Sequence, residues 1–340
     1  MIRSWEKCIS FFAHWGIRSG MKWRSVFILL VLLALCVGVA ILRLMAGSDF
    51  SFAFSDNETI MNLRQQRVMV GGMVGASLGL AGVFLQSLLR NPLAAPGLMG
   101  LSAGAGFAVT LQTWIVGAAL GASAAAFPAF LGAVVVLILL WVLSQRKGML
   151  DPVTMILVGV IISVILGAAT MLVASQMADK GFAVSRWMMG MLREDLGRSE
   201  IFVAAGVLTG VLIVGLISSR AFDVLALSED EARSVGVRIG LVRNMQLICA
   251  GLLTTISIVL AGPIGFVGLV CPHIVRVLVG PNHRELLIGS ALCGFVLVVG
   301  ADTLVRLIST DAGRVPLGVV TALVGGPVFL MMLMKSRRSF

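Results

Sequence analysis

Three residues with the chemistry of metal ligands or catalytic groups lie close together near residue 275. The stretch VGLVCPHIVRVLVGPNHRE (267–285) contains Cys271, His273 and His283 within 13 residues of one another. Arg276 interrupts the apolar run of this stretch. A thiolate and two imidazoles suit zinc, and Cys with His also suits nucleophilic catalysis. However, an i,i+2 spacing sends Cys271 and His273 to opposite faces of a helix, which disfavours chelation. Anchoring at a membrane boundary is the alternative.

Two further motifs bear on catalysis. GASLG (75–79) matches the pattern of serine hydrolases, but it lies in an apolar stretch without a suitable His or Asp partner. Gly71, Gly75 and Gly79 recur every four residues, which is typical of a helix-packing face. The sequence contains no phosphate-binding G-x-x-x-x-G-K-[ST] motif, so ATP hydrolysis by that route is excluded. We expect this chain to be no enzyme and to hold neither a metal nor a cofactor.

The composition indicates a membrane protein. Hydrophobic residues make up 59% of the 340 residues and charged residues 12%, whereas a soluble domain carries about 25% charged residues. The net charge of +10 comes from basic residues scattered between apolar runs, which is typical of topology signals rather than of nucleic-acid binding. The five cysteines form no CxxC pair and are expected to be packed thiols.

Apolar runs long enough to cross the bilayer recur along the whole chain. A helix needs about 20 apolar residues to span about 30 Å of hydrocarbon. The sequence predicts an all-α integral membrane protein with about ten transmembrane helices, the eighth of them short. The predicted spans are 25–45, 68–89, 97–116, 122–143, 153–175, 199–219, 243–262, 264–279, 286–308 and 316–334.

The distribution of basic residues predicts the orientation. Of the 26 Lys and Arg residues, 17 fall on the side of the termini and 8 on the other side, while Arg306 lies within the ninth span. The side richer in Lys and Arg is cytoplasmic. We therefore expect a multi-pass protein of the bacterial cytoplasmic membrane, with a basic N-terminus (1–24) and a tail (335–340) in the cytoplasm.

The longest predicted cytoplasmic connection, residues 220–243, contains a short helix. Ser228 followed by Glu231 forms a capping box, Glu229 and Asp230 add negative charge to the first turn, and Gly236 is a natural stop. A helix of two turns is marginal in water, so it docks either on a cytoplasmic partner or back on this chain.

Two other segments interrupt the pattern of spans. Pro92 and Pro96 prevent a continuous helix through 90–106. On the external side, 176–198 mixes charge with apolar residues, and either an interfacial helix or a re-entrant piece is allowed.

Charged residues near the membrane have structural and functional interpretations. Asp302 and Arg306 share a helix face and can pair. Alternatively, Arg306 joins Arg64 and Arg67 in an external basic patch that contacts a partner. In the stretch 267–285, we expect Pro272 to break the helix and to leave His273 and Arg276 at the inner boundary.

Four stretches together resemble the permease family of ABC importers for iron–siderophore complexes, haem and cobalamin. The similarity runs from about residue 60 to 335. The stretches are LRQQRVMVGGMVGASLGLAGVFLQSLLRNPLAAPGLMGLSAGAG (63–106), LALSEDEARSVGV (225–237), AGPIGFVGLVCPHIVRVLVGPNHR (261–284) and VPLGVVTALVGGPVFL (315–330). Three positions depart from the family pattern: Gln66 replaces a proline, Ser228 a glycine, and Arg314 lies where an acidic residue is usual.

The resemblance implies a type II importer transmembrane domain with several partners. These are a second permease subunit (the same chain or a paralogue), two ATP-binding cassettes that hold ATP and Mg, and a periplasmic or lipid-anchored binding protein. Carried over by position, Arg64, Arg67 and Arg306 contact the binding protein, and Asn91, Leu93, Pro152 and Val153 form the cytoplasmic gate. The coupling residues are Leu227, Ser228, Glu229, Asp230, Glu231, Ala232, Arg233 and Gly236.

The cargo that the family suggests first is a ferric siderophore, with haem and cobalamin as the alternatives. An ion-coupled secondary transporter is the second functional hypothesis and an integral membrane enzyme the third. Copurification of an ATPase subunit would separate the first hypothesis from the others.

Overall fold

The architecture is a bundle of helices whose ends lie close to the predicted bounds. A computed structural model describes residues 23–47, 52–116, 125–146, 148–177, 187–308 and 315–336. Most of the predicted cytoplasmic N-terminus, residues 337–340 of the tail, residues 178–186 of the external segment and Arg314 lie outside the described residues.

Ten helices correspond to the ten predicted spans, which confirms the all-α class. Seven are long and apolar enough to cross a membrane, and three apolar helices are shorter. The eleventh, α7, is the short helix of the predicted cytoplasmic connection. The helices are α1 (Trp23–Met45), α2 (Glu58–Leu88), α3 (Leu101–Val116), α4 (Ala126–Leu143), α5 (Pro152–Ser175), α6 (Arg198–Leu227), α7 (Glu229–Ser234), α8 (Ile239–Ala261), α9 (Val267–Val279), α10 (His283–Ile308) and α11 (Leu317–Ser336).

Small elements connect the long helices. A 3-10 helix (Pro96–Met99) precedes α3, and Gly100 joins the two with a left-handed φ of 75°. Strands β1 (Gln145–Arg146) and β2 (Met149–Leu150) pair antiparallel between α4 and α5, with Gln145 opposite Leu150.

Helix α2 lies at the centre of the bundle, packed against α8, α9 and α10. Nearly all its residues from Val70 to Leu88 are buried, whereas in α5 the buried residues are only Met155, Gly159 and Thr170. The predicted glycine face makes the central contact. A Cβ at Gly75 would collide with the carbonyl oxygen of Gly294 on α10, and a Cβ at Gly79 with that of Ser290. Small residues thus let the two backbones touch, as predicted.

Two helices are longer than predicted. Helix α2 begins ten residues before the predicted start, where the Asn57 side chain caps it by accepting hydrogen bonds from the backbone N–H groups of Thr59 and Ile60. Helix α6 continues through residues 220–227, which were predicted to be part of a loop. Polar residues can continue a helix beyond its apolar run, so hydropathy alone placed the start of α2 too late and the end of α6 too early.

The prediction that Pro272 breaks its helix is wrong. Helix α9 runs from Val267 to Val279 with Pro272 inside it. A proline removes the hydrogen bond to the carbonyl four residues earlier, and here that carbonyl belongs to Gly268, in the first turn. Only the start of α9 is affected, so the helix continues.

Candidate functional site

The short helix α7 is fixed at both ends by local hydrogen bonds. The Ser228 hydroxyl accepts a hydrogen bond from the Glu231 N–H at 3.0 Å, which is an N-cap interaction. At the other end Gly236 has a φ of 82°, and the N–H groups of Gly236 and Val237 donate to the carbonyls of Arg233 and Ala232. This is a Schellman motif, so the predicted start and stop of the helix are both confirmed.

One face of α7 docks on the chain itself. Ala232 is fully buried, and a carboxylate oxygen of Glu229 lies 2.5 Å from a guanidinium nitrogen of Arg243 on α8. Arg243 also donates to the Leu150 carbonyl in β2 at 3.3 Å. Because Arg243 is 8% exposed and Glu229 34%, this contact holds α7 against α8 and the strands.

The other face of α7 is open. Asp230 and Glu231 are exposed, and so are Leu227 and Val235 on either side of the helix, at 74% and 41%. An acidic helix flanked by two bare aliphatic side chains is a surface that a partner can cover. The sequence left open whether α7 docks on this chain or on a partner. The inner face of α7 docks on this chain, and no described residue covers its outer face.

The predicted gate residues Asn91 and Leu93 belong to one rigid turn. The Asn91 side chain accepts a hydrogen bond from the Leu93 N–H at 2.9 Å, and the Asn91 carbonyl accepts one from the Ala94 N–H at 3.1 Å. Arg90, just before them, has a left-handed φ of 48°. Leu93 itself is 43% exposed, so the turn presents an aliphatic side chain on a stiff backbone.

The other predicted gate residues lie in the first turn of α5. The Asp151 carboxylate caps α5 by accepting from the backbone N–H and the hydroxyl of Thr154, at 2.9 and 2.5 Å. These two donors lower the pKa of Asp151 below its ordinary value. Pro152 occupies the first helical position and Val153 is 75% exposed. The 3-10 helix that follows the Asn91 turn packs on Gly159 of α5, and this contact links the two gate segments.

One of the predicted external arginines, Arg67, contacts a buried carboxylate. Asp302 is 1% exposed; its two oxygens lie 2.5 Å from Arg43 and 2.5 Å from Arg67, and Arg67 also pairs with Glu194. A cavity of about 170 Å³ is lined by Arg43, Arg64, Arg67, Arg306 and Glu194, among others. The three arginines of the predicted patch therefore do lie together.

Sequence reasoning missed two members of this cluster. Arg43 ends α1 and Glu194 lies in the segment before α6, so neither is near Arg67 in sequence. Arg64, by contrast, donates to the carbonyls of Leu44 and Ala53 at 2.6 and 2.9 Å. The segment that carries Glu194 is tied to the end of α8, since the N–H groups of Met191 and Arg193 donate to the carbonyls of Ala261 and Leu260.

Cys271 does not join His273 and His283 in a metal or catalytic site. Cys271 is fully buried, and His273 lines a different surface, a cavity at the end of α2. His283 pairs with Asp223, whose carboxylate oxygen lies 2.6 Å from the imidazole Nδ1 and 2.9 Å from the backbone nitrogen. Within the described ranges, no three His, Cys, Asp or Glu side chains converge as a metal site would require.

Comparison with known proteins gives matches over nearly the whole chain. The profile of the FecCD transport family matches residues 26–335. The hemin transport system permease protein HmuU of Yersinia pestis is 33% identical over 323 residues, covering 92% of this chain and 95% of that protein. The vitamin B12 import system permease protein BtuC of Salmonella typhi is 35% identical over 333 residues, covering 96% and 99%.

A solved structure has the same fold. It is described as an inward-facing conformation of a metal-chelate type ABC transporter, and it matches with a TM-score of 0.81 and 27% sequence identity. The match covers 92% of this chain and 99% of that chain.

Proposed function

Because the chain belongs to the FecCD transport family, we propose that it is the permease subunit of a binding-protein-dependent ABC importer. Transport is driven by ATP hydrolysis in a separate cassette subunit, which holds the ATP and Mg. Two permease subunits, two cassettes and one binding protein make up the complex. The protein lies in the bacterial cytoplasmic membrane with both termini in the cytoplasm.

The observation that carries this proposal is the construction of α7. Its inner face is held by Glu229 and Ala232, while Asp230, Glu231 and Leu227 point away from the bundle. A helix held rigidly on one side and left bare on the other can transmit a push from a docked partner. We assign this role to Leu227, Ser228, Glu229, Asp230, Glu231, Ala232, Arg233 and Gly236.

The gate and the docking surface follow from the same arrangement. A push on α7 reaches β2 and the start of α5 through Arg243, which bonds both Glu229 and the Leu150 carbonyl. Pro152 and Val153 begin α5 one residue after β2. We assign Asn91 and Leu93 to the other side of the gate, since the 3-10 helix that follows them packs on Gly159 of α5. For the outer face, we assign contact with acidic side chains of the binding protein to Arg64, Arg67 and Arg306, because they line one cavity in which arginines outnumber carboxylates.

For the cargo we propose a bulky metal chelate, with a ferric siderophore as the first candidate and haem and cobalamin as the others. The similar proteins named for hemin and vitamin B12 transport support this class. Measuring which of the three ligands the cognate binding protein binds would identify the cargo.

The function is tested by reconstituting the chain with its cassette and binding protein in liposomes. We expect uptake that requires ATP and that persists when ion gradients are collapsed. Uptake by the chain alone, or uptake that stops with the ion gradient, would instead indicate a secondary transporter.

The coupling role is tested by reversing one exposed charge of α7. Asp230→Lys should lower uptake about tenfold or more, because one unfavourable charge contact of about 1.4 kcal/mol at the cassette interface corresponds to a factor of ten. Asp56→Lys makes the same charge change at an exposed residue before α2, at the opposite end of the molecule. It controls for folding and insertion. Equal uptake by the two variants would reject the coupling role.

A further inference from the structure

A second cavity, of about 480 Å³, opens at the same end of the molecule as α7. It is enclosed by the last turn of α2, the Arg90 turn, the end of α6, the second half of α9 and the residues before α10. The side chains that bear on the argument are Gln86, Arg90, His273, Arg276 and His283. The functions proposed above use none of these five side chains, although Asn91 of the proposed gate lines the same cavity.

The lining of this cavity is positively charged. It contains two guanidinium groups, those of Arg90 and Arg276, and no Asp or Glu. Arg90 donates to the Leu225 carbonyl at 2.7 Å, but among the described residues no carboxylate pairs with either arginine. The nearby carboxylate of Asp223 is already bonded to His283. The lining of the cavity therefore contains no carboxylate to neutralise its two arginines.

Buried polar atoms in the lining also lack partners. Gln86 is 3% exposed, and its carbonyl oxygen Oε1 accepts no hydrogen bond. The Nδ1 of His273 is buried without a partner as well. A buried polar atom without a partner costs about 1–3 kcal/mol, so a ligand that offers both a hydroxyl donor and acceptor oxygens would complete the site.

The depth of the cavity matches that of lipid headgroups. Gln86 and Arg276 lie two and three residues before the ends of α2 and α9, so both are within about 5 Å of a helix end at about 1.5 Å per residue. Val277 lines the cavity and is 70% exposed, and its neighbour Leu278 is 38% exposed. The site thus combines cationic side chains with bare aliphatic ones at the membrane boundary.

We propose that this cavity binds the headgroup of an anionic phospholipid that carries a free hydroxyl, such as phosphatidylglycerol. Arg90 and Arg276 contact the phosphate, Gln86 Oε1 accepts from the headgroup hydroxyl, and Val277 contacts the acyl chains. Basic pockets between helices on the cytoplasmic side are known to suit such headgroups. The assignment does not depend on the transport function.

The test uses the full-length protein in nanodiscs of phosphatidylcholine with a minor fraction of phosphatidylglycerol. Lipids retained after purification are counted by native mass spectrometry. Arg276→Gln and Arg90→Gln should each lower phosphatidylglycerol retention about fivefold, since one arginine near the surface contributes about 1 kcal/mol. Arg24→Gln removes the same charge from an exposed residue at the start of α1, outside the cavity, and should leave retention unchanged.

A further variant and a second probe distinguish the sources of phosphate. Gln86→Leu should abolish the preference for phosphatidylglycerol over phosphatidylmethanol, which lacks the hydroxyl, while general anion binding remains. Inorganic phosphate added to pure phosphatidylcholine discs should not raise the melting temperature. A rise equal to that given by phosphatidylglycerol would mean a site for soluble phosphate and would overturn the lipid assignment. Equal retention in Arg276→Gln and Arg24→Gln would overturn the site itself.

Discussion

A single carboxylate organises the outer arginine cluster. Asp302 receives one arginine from α1 and one from α2, and both it and Arg43 are almost fully buried. Breaking a buried ion pair on one side strands the remaining charge, which costs more than the pair contributes when intact. Asp302 is therefore a positioning residue for Arg67, whatever partner the outer surface contacts.

Replacing Asp302 with Asn should destabilise the protein by about 3–5 kcal/mol, because Arg43 then remains buried without a counter-charge and Arg67 keeps only the partly exposed Glu194. Thermal or denaturant unfolding in detergent measures the loss. Glu194→Gln removes the other acidic partner of Arg67, and since Glu194 is 33% exposed we expect a loss of about 1 kcal/mol or less. Similar losses in the two variants would contradict this account of Asp302.

Sequence spacing identified some charges of this cluster, missed Arg43 and Glu194, and did not predict the observed pairing. Arg306 lies one helical turn from Asp302 and was the partner that spacing indicated. The observed partners Arg43 and Arg67 are 259 and 235 positions away. No local pattern encodes such a contact, since it depends on how α1, α2 and α10 pack.

At the scale of elements, the contact between α2 and α10 depends on the absence of side chains. Gly75→Ala would drive a methyl group into the Gly294 carbonyl, and overpacking of this kind costs about 1–3 kcal/mol. Gly210→Ala on α6 is the matched control, since an added Cβ there has nothing within 4 Å. The melting temperature should fall for the first variant and stay level or rise for the second. A fall in both would point to helix-wide effects instead.

The cap of α7 gives a second prediction at this scale. Ser228→Ala removes the acceptor for the Glu231 N–H, a loss of about 1 kcal/mol, so amide exchange over 229–234 should quicken about fivefold. Ser228→Thr keeps a hydroxyl and should restore protection. If exchange stays slow in Ser228→Ala, the packing of Ala232 rather than the cap holds the helix.

The elements were largely predictable from sequence, and the errors have physical reasons. Hydropathy located all ten spans, and the cap and stop residues located α7. The start of α2 was placed too late because its first turns are polar and largely exposed, and the end of α6 was placed too early because its last turns mix polar residues with buried ones such as Phe222. Pro272 was misjudged because the cost of a proline depends on its position in the helix, which cannot be known before the helix start is known.

At the scale of the molecule, the orientation of the protein in the membrane decides which of its surfaces are cytoplasmic and which are external. Ser234 is exposed on α7, and Asn57 is exposed at the opposite end, before α2. A membrane-impermeant maleimide should label Ser234→Cys only in inside-out vesicles and Asn57→Cys only in right-side-out ones. The four native cysteines among the described residues are buried and should give little background; for Cys8, which lies outside them, the unsubstituted chain is the control. The reverse labelling would invert the assignment of every surface.

Helix α6 reaches from the segment that carries Glu194 to α7 without a flexible linker. Its 30 residues span about 45 Å at about 1.5 Å per residue, and Ser228 alone separates it from α7. Because the helix is continuous over this length, a small tilt at one end of the bundle displaces its other end. In the importer proposed above, a displacement of this helix would link cargo loading at one end to nucleotide consumption at the other, and the link would act in both directions.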